Sequence, residues 1–299
     1  MSQSVSPAQV RVAGRAAVPA APRRRRRSRL HVAAAVAYLA TFVIALPLLW
    51  IVLLSFESNS AILSHPFSIT RLSLANYRMA LSTLDLLLMY RNTFILALGS
   101  VPLGILISFM ASYALSRMFF RWRRLQKALR YFFLAGLAVP VYILLFPVYR
   151  LDVEFGVYGT YLSLILPYIA VSISFNMLLF TGFLADFPAE LEQAAIVDGC
   201  SLFTLCARVV LPLMRPVVAT LLIFNTIYVW NEFPFAVTLI NKASLTTVSL
   251  GISQFQGVWN VDYGAMMAST VLVLIPQLIV YAIFQRQIVA GMTAGAVKG

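Results

Sequence analysis

The chain has 299 residues, 61% hydrophobic and 11% charged, and its mean hydropathy of +0.87 is too apolar for a protein whose surface faces water on all sides. A net charge of +13 would suggest nucleic acid in a soluble protein, but between long apolar runs it calls first for a topological explanation. Two cysteines (Cys200, Cys206) and two histidines (His31, His65) cannot assemble a His/Cys metal cluster. None of Lys127, Lys242 and Lys298 follows a glycine, so the Gly-Lys-Ser/Thr loop that cradles ATP phosphates is absent.

Residues 1–29 carry eight arginines and no acidic residue, with too little apolar surface to offset the entropy of ordering, and are expected to form a disordered basic tail. The arginine run at 23–27 reads as a retention signal beside an apolar span, in preference to a nucleic-acid or acidic-lipid patch. Six apolar runs follow, at about 30–56, 89–116, 131–149, 161–183, 216–240 and 263–285, each near the roughly 20 residues that cross the hydrocarbon. The first resembles a signal peptide but is too long for one, so it is expected to stay as an anchor. The chain is therefore read as an all-α membrane protein: a tail (1–29), a six-helix domain (30–285, with a loop at 184–215) and a C-terminal tail (286–299).

Orientation follows from the cations. With the N-terminus inside, segments 1–29, 117–130, 184–215 and 286–299 hold 8, 6, 2 and 2 Lys and Arg, 18 of the chain's 23. The positive-inside bias then puts both termini in the cytoplasm, where Cys200 and Cys206 stay reduced. Prolines 47, 102, 140, 147, 167, 234 and 276 inside the runs predict kinks, as packing irregularities or as hinges. Gly99, Gly104, Ser108, Ala111 and Ser112 permit close helix approach.

The loop between the fourth and fifth runs is the one cytoplasmic loop that is neither basic nor short. Pro188 suits a helix start, with Asp186, Glu190 and Glu192 at the positive end of its dipole. Leu191, Ala194 and Ala195 give a narrow apolar face, Asp198 and Gly199 interrupt the helix, and Ser201 caps a second one. Such a bent element serves either as a knob for a soluble partner or as an amphipathic helix on lipid headgroups. Glu232 is the carboxylate placed deepest in a run, costing roughly 2.5–3.5 kcal/mol at a helix centre unless it meets water or a partner. With Trp230, Asn231 and Phe235 it offers aromatic faces and polar acceptors for a translocation path, or else a structural hydrogen bond.

The string Pro188-Ala189-Glu190-Leu191-Glu192-Gln193-Ala194-Ala195-Ile196-Val197-Asp198-Gly199, with Pro212 and Pro216 downstream, resembles the coupling-helix motif of importer permeases of the ATP-binding cassette superfamily. Asn92-Thr93, Tyr113-Ala114-Leu115-Ser116-Arg117, Trp230-Asn231-Glu232-Phe233 and the ending from Phe284 to Gly299 extend the likeness to the maltose-type carbohydrate permeases, in particular their shorter subunit. Two positions depart from the family's pattern, Gln193 for a second glutamate and Cys200 for an alanine. The resemblance implies an inner-membrane transport subunit with no catalytic residue, no metal and no cofactor of its own. ATP and Mg²⁺ would sit on a partner ATPase dimer, joined by a second homologous permease and an extracytoplasmic sugar-binding protein. It also implies ATPase coupling through Glu190, Leu191, Glu192, Gln193, Ala194, Ala195, Asp198 and Gly199, and tail contacts through Thr293, Gly295, Lys298 and Gly299. The alternatives are a permease for a non-sugar solute and a proton-coupled secondary transporter using Glu232.

Overall fold

The computed structural model describes residues 23–69, 71–257 and 259–294, and these form α-helices joined by short turns. The chain divides into two units, Met1–Trp50 and Ile51–Gly299. Helix α1 (Arg23–Leu54) begins in the first and continues through Pro47 without a break. The second contains α2 (Asn59–Ser64), α3 (Ala75–Thr83), α4 (Leu86–Arg117), α5 (Arg123–Ala135), α6 (Leu145–Glu154) and α7 (Leu162–Asp186). It continues with α8 (Ala189–Val197), α9 (Leu202–Leu205), α10 (Leu211–Leu213), α11 (Arg215–Asn231), α12 (Pro234–Leu239), α13 (Val248–Ile252) and α14 (Tyr263–Ala294).

Among the described residues, four segments are long and apolar enough to cross a membrane alone: Ala33–Leu54, Leu86–Arg117, Leu162–Asp186 and Tyr263–Gln285. The runs expected at 131–149 and 216–240 are not continuous helices. The former breaks by 98° between Ala138 and Val141, at Pro140, which has no N–H to donate and holds the residue before it in the extended region. The latter is bent by 77° from the helices that precede it and stops at Asn231. Alone, the 17 residues of α11 rise about 25 Å, short of a hydrocarbon core of about 30 Å. Pro234 opens α12 beyond the stop. By contrast Pro102, Pro167 and Pro276 lie inside helices that continue through them.

Helices α4 and α7 form the spine of the second unit, with Leu96, Phe109, Leu164, Phe180, Leu221 and Phe235 in one core cluster. Their closeness depends on small residues: a Cβ added at Gly104 would come within 2.5 Å of Ser172 Oγ, and Ser108 and Ser112 are fully buried. At the other end, Asn92 Nδ2 donates to the carbonyls of Ser244 (2.9 Å) and Thr246 (3.0 Å), and Tyr161 Oη donates to Asn92 Oδ1 at 2.7 Å. Thr93 Oγ1 accepts from Val248 N at 3.1 Å. These two adjacent polar residues thus pin the 241–250 loop to α4. Asn59 stitches the 57–88 segment to the 241–262 turn, donating to Val261 O at 3.1 Å and accepting from Tyr263 N at 3.0 Å.

Candidate functional site: a bent knob and a cleft between helices

The acidic loop folds as a helix, a bend and a second helix. Pro188, extended at ψ 119°, precedes α8. After α8 the chain turns at Gly199, whose φ of +80° favours a residue without a Cβ. Ser201 Oγ accepts from Thr204 N at 3.2 Å to cap α9. A π-turn over Cys206–Val210 then widens the path into α10; no periodicity in the sequence signals it.

The two sides of α8 differ. Glu192 and Ala195 face inward, 8% and 9% exposed. Glu192 Oε1 lies 3.2 Å from Arg117 Nε as an ion pair outside hydrogen-bond geometry, and Oε2 accepts from Tyr113 Oη at 3.4 Å. Arg117 in turn donates from Nη2 to the carbonyls of Leu184 (2.7 Å) and Phe187 (2.6 Å), and its guanidinium stands 6.0 Å from the Phe187 ring centre. Arg117 therefore joins the end of α4, the end of α7 and α8 in one bonded cluster. Expected on the coupling surface, Glu192 points into the protein, and Ala195 goes with it. The other residues expected there, Glu190, Leu191, Gln193, Ala194, Asp198 and Gly199, are exposed. An apolar crest accompanies them: Leu191, Ile196, Val197 and Phe203 are 46%, 59%, 86% and 83% exposed.

The four residues expected on a path are mostly packed. Trp230, 5% exposed, stacks on Tyr90 at 5.8 Å, meets Phe94 edge-on at 5.4 Å and donates to Val273 O at 3.2 Å. Phe235 is fully buried, and the exposed Asn231 bonds back to Ile227 O at 2.8 Å. Glu232 accepts from Tyr168 Oη (2.7 Å) and from the backbone N–H groups of Phe235 (2.7 Å) and Ala236 (3.1 Å), while its carbonyl accepts from Ser249 Oγ. It ties off the free amides where α12 begins and is bonded to a neighbouring helix, α7, through Tyr168.

An open cleft of 360 Å³ lies instead between α7 and α11, lined by Ser172, Phe175, Phe224, Asn225 and Tyr228 among others. Phe175 and Phe224 meet edge-on at 5.9 Å, and Tyr228 stands edge-on to Tyr168 at 6.1 Å, so Glu232 supports the cleft wall through Tyr168. Asn225 Nδ2 donates to the buried Asn176 Oδ1 at 2.8 Å. Sequence reasoning missed these residues, although amides inside apolar spans were a readable signal, since polar groups there are costly. Among the described residues, no three His, Cys, Asp or Glu side chains are grouped to hold a metal. Of the C-terminal contacts, Thr293 lies on the backbone of α14, and Gly295, Lys298 and Gly299 lie outside the described residues.

The chain is a helical membrane protein by the length and composition of its helices, with an exposed bent knob and a cleft between two of them. Residues 100–294 match the family described as binding-protein-dependent transport system inner membrane component, and the chain belongs to that family. It is 32% identical over 259 residues to the diacetylchitobiose uptake system permease protein NgcG of Streptomyces coelicolor, covering 86% of this chain and 85% of that one. It is 31% identical over 267 residues to the trehalose/maltose transport system permease protein MalG of Thermococcus litoralis, covering 88% and 95%. The fold matches a chain in the crystal structure of a bacterial ABC transporter involved in the import of the acidic polysaccharide alginate, with TM-score 0.72 and 20% identity over 90% of this chain and 99% of the other. The chain is thus a multi-pass transport subunit and not a catalytic one.

Proposed function

We propose that this chain is one of two permease subunits of an ATP-driven sugar importer in a bacterial inner membrane. It crosses six times, each bent pair counting as one crossing, with both termini in the cytoplasm; the distribution of Lys and Arg supports that orientation. A separate ATPase dimer binds ATP and Mg²⁺ and docks on the knob at 186–212 and on the C-terminal tail. The cleft with Ser172, Asn225 and Tyr228 forms part of the path, where hydroxyl, amide and aromatic faces suit a sugar ring, and its volume of 360 Å³ lies in the range of small-molecule sites. An extracytoplasmic binding protein meets the opposite side, where Asn59 joins two loops and Trp259 is 97% exposed. The sugar class is supported by the two relatives, which are named for diacetylchitobiose and for trehalose and maltose.

One observation carries the coupling role: an exposed apolar crest on a knob anchored from within by Arg117 and Glu192. A helix that rests on headgroups carries basic residues toward an anionic leaflet. Residues 186–204 contain no Lys or Arg, and Asp186, Glu190, Glu192 and Asp198 make the segment acidic, which favours a protein partner over lipid. A knob held at three points moves as one body with α4 and α7, so a partner that binds two of its orientations with different affinity shifts the permease between states.

The test is the complete importer, purified with its ATPase and reconstituted with its binding protein. Val197→Asp and Phe203→Asp should leave the permease inserted and monodisperse while weakening ATPase retention by roughly 30-fold, the weight of a buried apolar anchor. A sugar panel should stimulate ATPase activity in the unmodified complex. Full coupled uptake by both variants would remove the docking role; stimulation by a non-sugar solute alone would reassign the substrate.

A further inference from the structure

Helix α5 is the counterpart of the knob in charge. Residues 117–130 contain six Lys and Arg and no acidic residue, and the aromatic residues just ahead of α5 are open, Phe119 at 89% and Trp122 at 68% exposure. Basic residues with flanking aromatics are the composition of a segment at the headgroup level. The second turn of α5 is fixed to the end of α4 by Gln126 Nε2, which donates to Leu115 O at 2.8 Å.

Beside that bond lies a pocket of 270 Å³ lined by Ser116, Arg117, Gln126, Lys127, Arg130 and Thr181. Arg117 is committed to Glu192. Lys127 and Arg130 form no ion pair with any carboxylate of the described residues, and the buried Ser116 hydroxyl has no hydrogen-bond partner there. Two uncompensated cations and an unused hydroxyl around one hole are a donor set for a phosphate, whose oxygens accept without donating.

We propose that this pocket binds the phosphate of an anionic phospholipid headgroup, held by Lys127, Arg130 and the Ser116 hydroxyl. Phe119 and Trp122 set the depth at which such a headgroup arrives, and the exposed apolar surface of the neighbouring spans accommodates acyl chains, which a free phosphate lacks. The site adjoins Arg117, so the lipid buttresses the residue that anchors the knob. Nothing in this assignment depends on which solute is carried.

The experiment uses the full chain in its complex, extracted from vesicles of phosphatidylglycerol or of phosphatidylcholine, with retained lipid counted by native mass spectrometry. Phosphatidylglycerol should be retained and phosphatidylcholine lost. Replacing both site cations (Lys127→Gln with Arg130→Gln) should weaken retention by roughly 30-fold, two basic side chains' worth of attraction, and Ser116→Ala by roughly tenfold. Removing the same charge outside the pocket (Arg121→Gln with Arg124→Gln) should weaken retention far less, since those side chains do not line it. Equal losses from both double variants would reduce the effect to diffuse surface attraction and overturn the site. So would equal retention of phosphatidylcholine. Displacement of the lipid by millimolar inorganic phosphate would make it a free-anion site instead, overturning the lipid assignment. Elution as a monodisperse complex confirms that each variant is folded.

Discussion

Glu192 and Glu232 are both buried carboxylates, 8% and 6% exposed, placed where a helix begins, yet their surroundings differ. Glu192 faces a cation, Arg117, brought from the far end of α4. Glu232 takes its hydrogen bonds from Tyr168 and from two backbone amides three and four residues ahead. Glu192 therefore ties together elements distant in sequence, whereas Glu232 mostly completes the start of its own next helix. A carboxylate inside an apolar protein is thus no indication of a transport site until its partners are known.

Two perturbations separate the two roles and a third tests the bend beside Glu192's helix, the largest effect first. Arg117→Met should destabilise the folded permease by about 3 kcal/mol, the lower end of the cost of stranding a buried partner, because Arg117 is 20% exposed. Adding Glu192→Leu should recover part of that loss. Thermal unfolding of the singles and the double measures the coupling, and strict additivity would show that the pair does not act as a unit.

Glu232→Ala should cost about 2 kcal/mol by leaving the amides of Phe235 and Ala236 without acceptors, while Glu232→Gln, which keeps a carbonyl oxygen, should cost under about 1 kcal/mol. If the glutamine variant is as unstable as the alanine variant, the charge itself matters, and the local account of Glu232 fails. Uptake at fixed ATP with the proton gradient collapsed should be unaffected in the unmodified complex.

Gly199→Val should cost about 1–2 kcal/mol. A Cβ there meets no atom within 4 Å, so the whole penalty is backbone strain at φ +80°. Gly199→Asn, which tolerates that conformation, should recover most of the stability and of the ATPase retention. Equal behaviour of valine and asparagine would mean that the bend is free to rearrange.

The membrane class, the apolar runs and the bent acidic loop were legible because each is written locally: runs of apolar residues, a Pro188 start, an Asp198-Gly199 stop. The close approach of α4 and α7 could also be anticipated, from Gly104 and the serines that follow it at helical spacing. The broken runs were not. Pro140 ends a helix while Pro102, Pro167 and Pro276 do not, and the local sequence around them offers no rule for telling them apart. At Pro276 the tertiary structure supplies what the proline takes away: Leu272 O, left without its helical donor, accepts from Tyr90 Oη of α4 at 2.9 Å.

The sequence alone determined where the chain is apolar, which loops are basic and where a helix must turn, because hydropathy, charge and the φ of glycine are properties of single residues or short windows. Only the tertiary structure decided that Glu192 faces inward to Arg117, that Trp230 and Phe235 are buried, and that Ser172, Asn225 and Tyr228 line the cleft. Those outcomes depend on which helices meet, and a side chain on a helix has no fixed environment until its neighbours are in place.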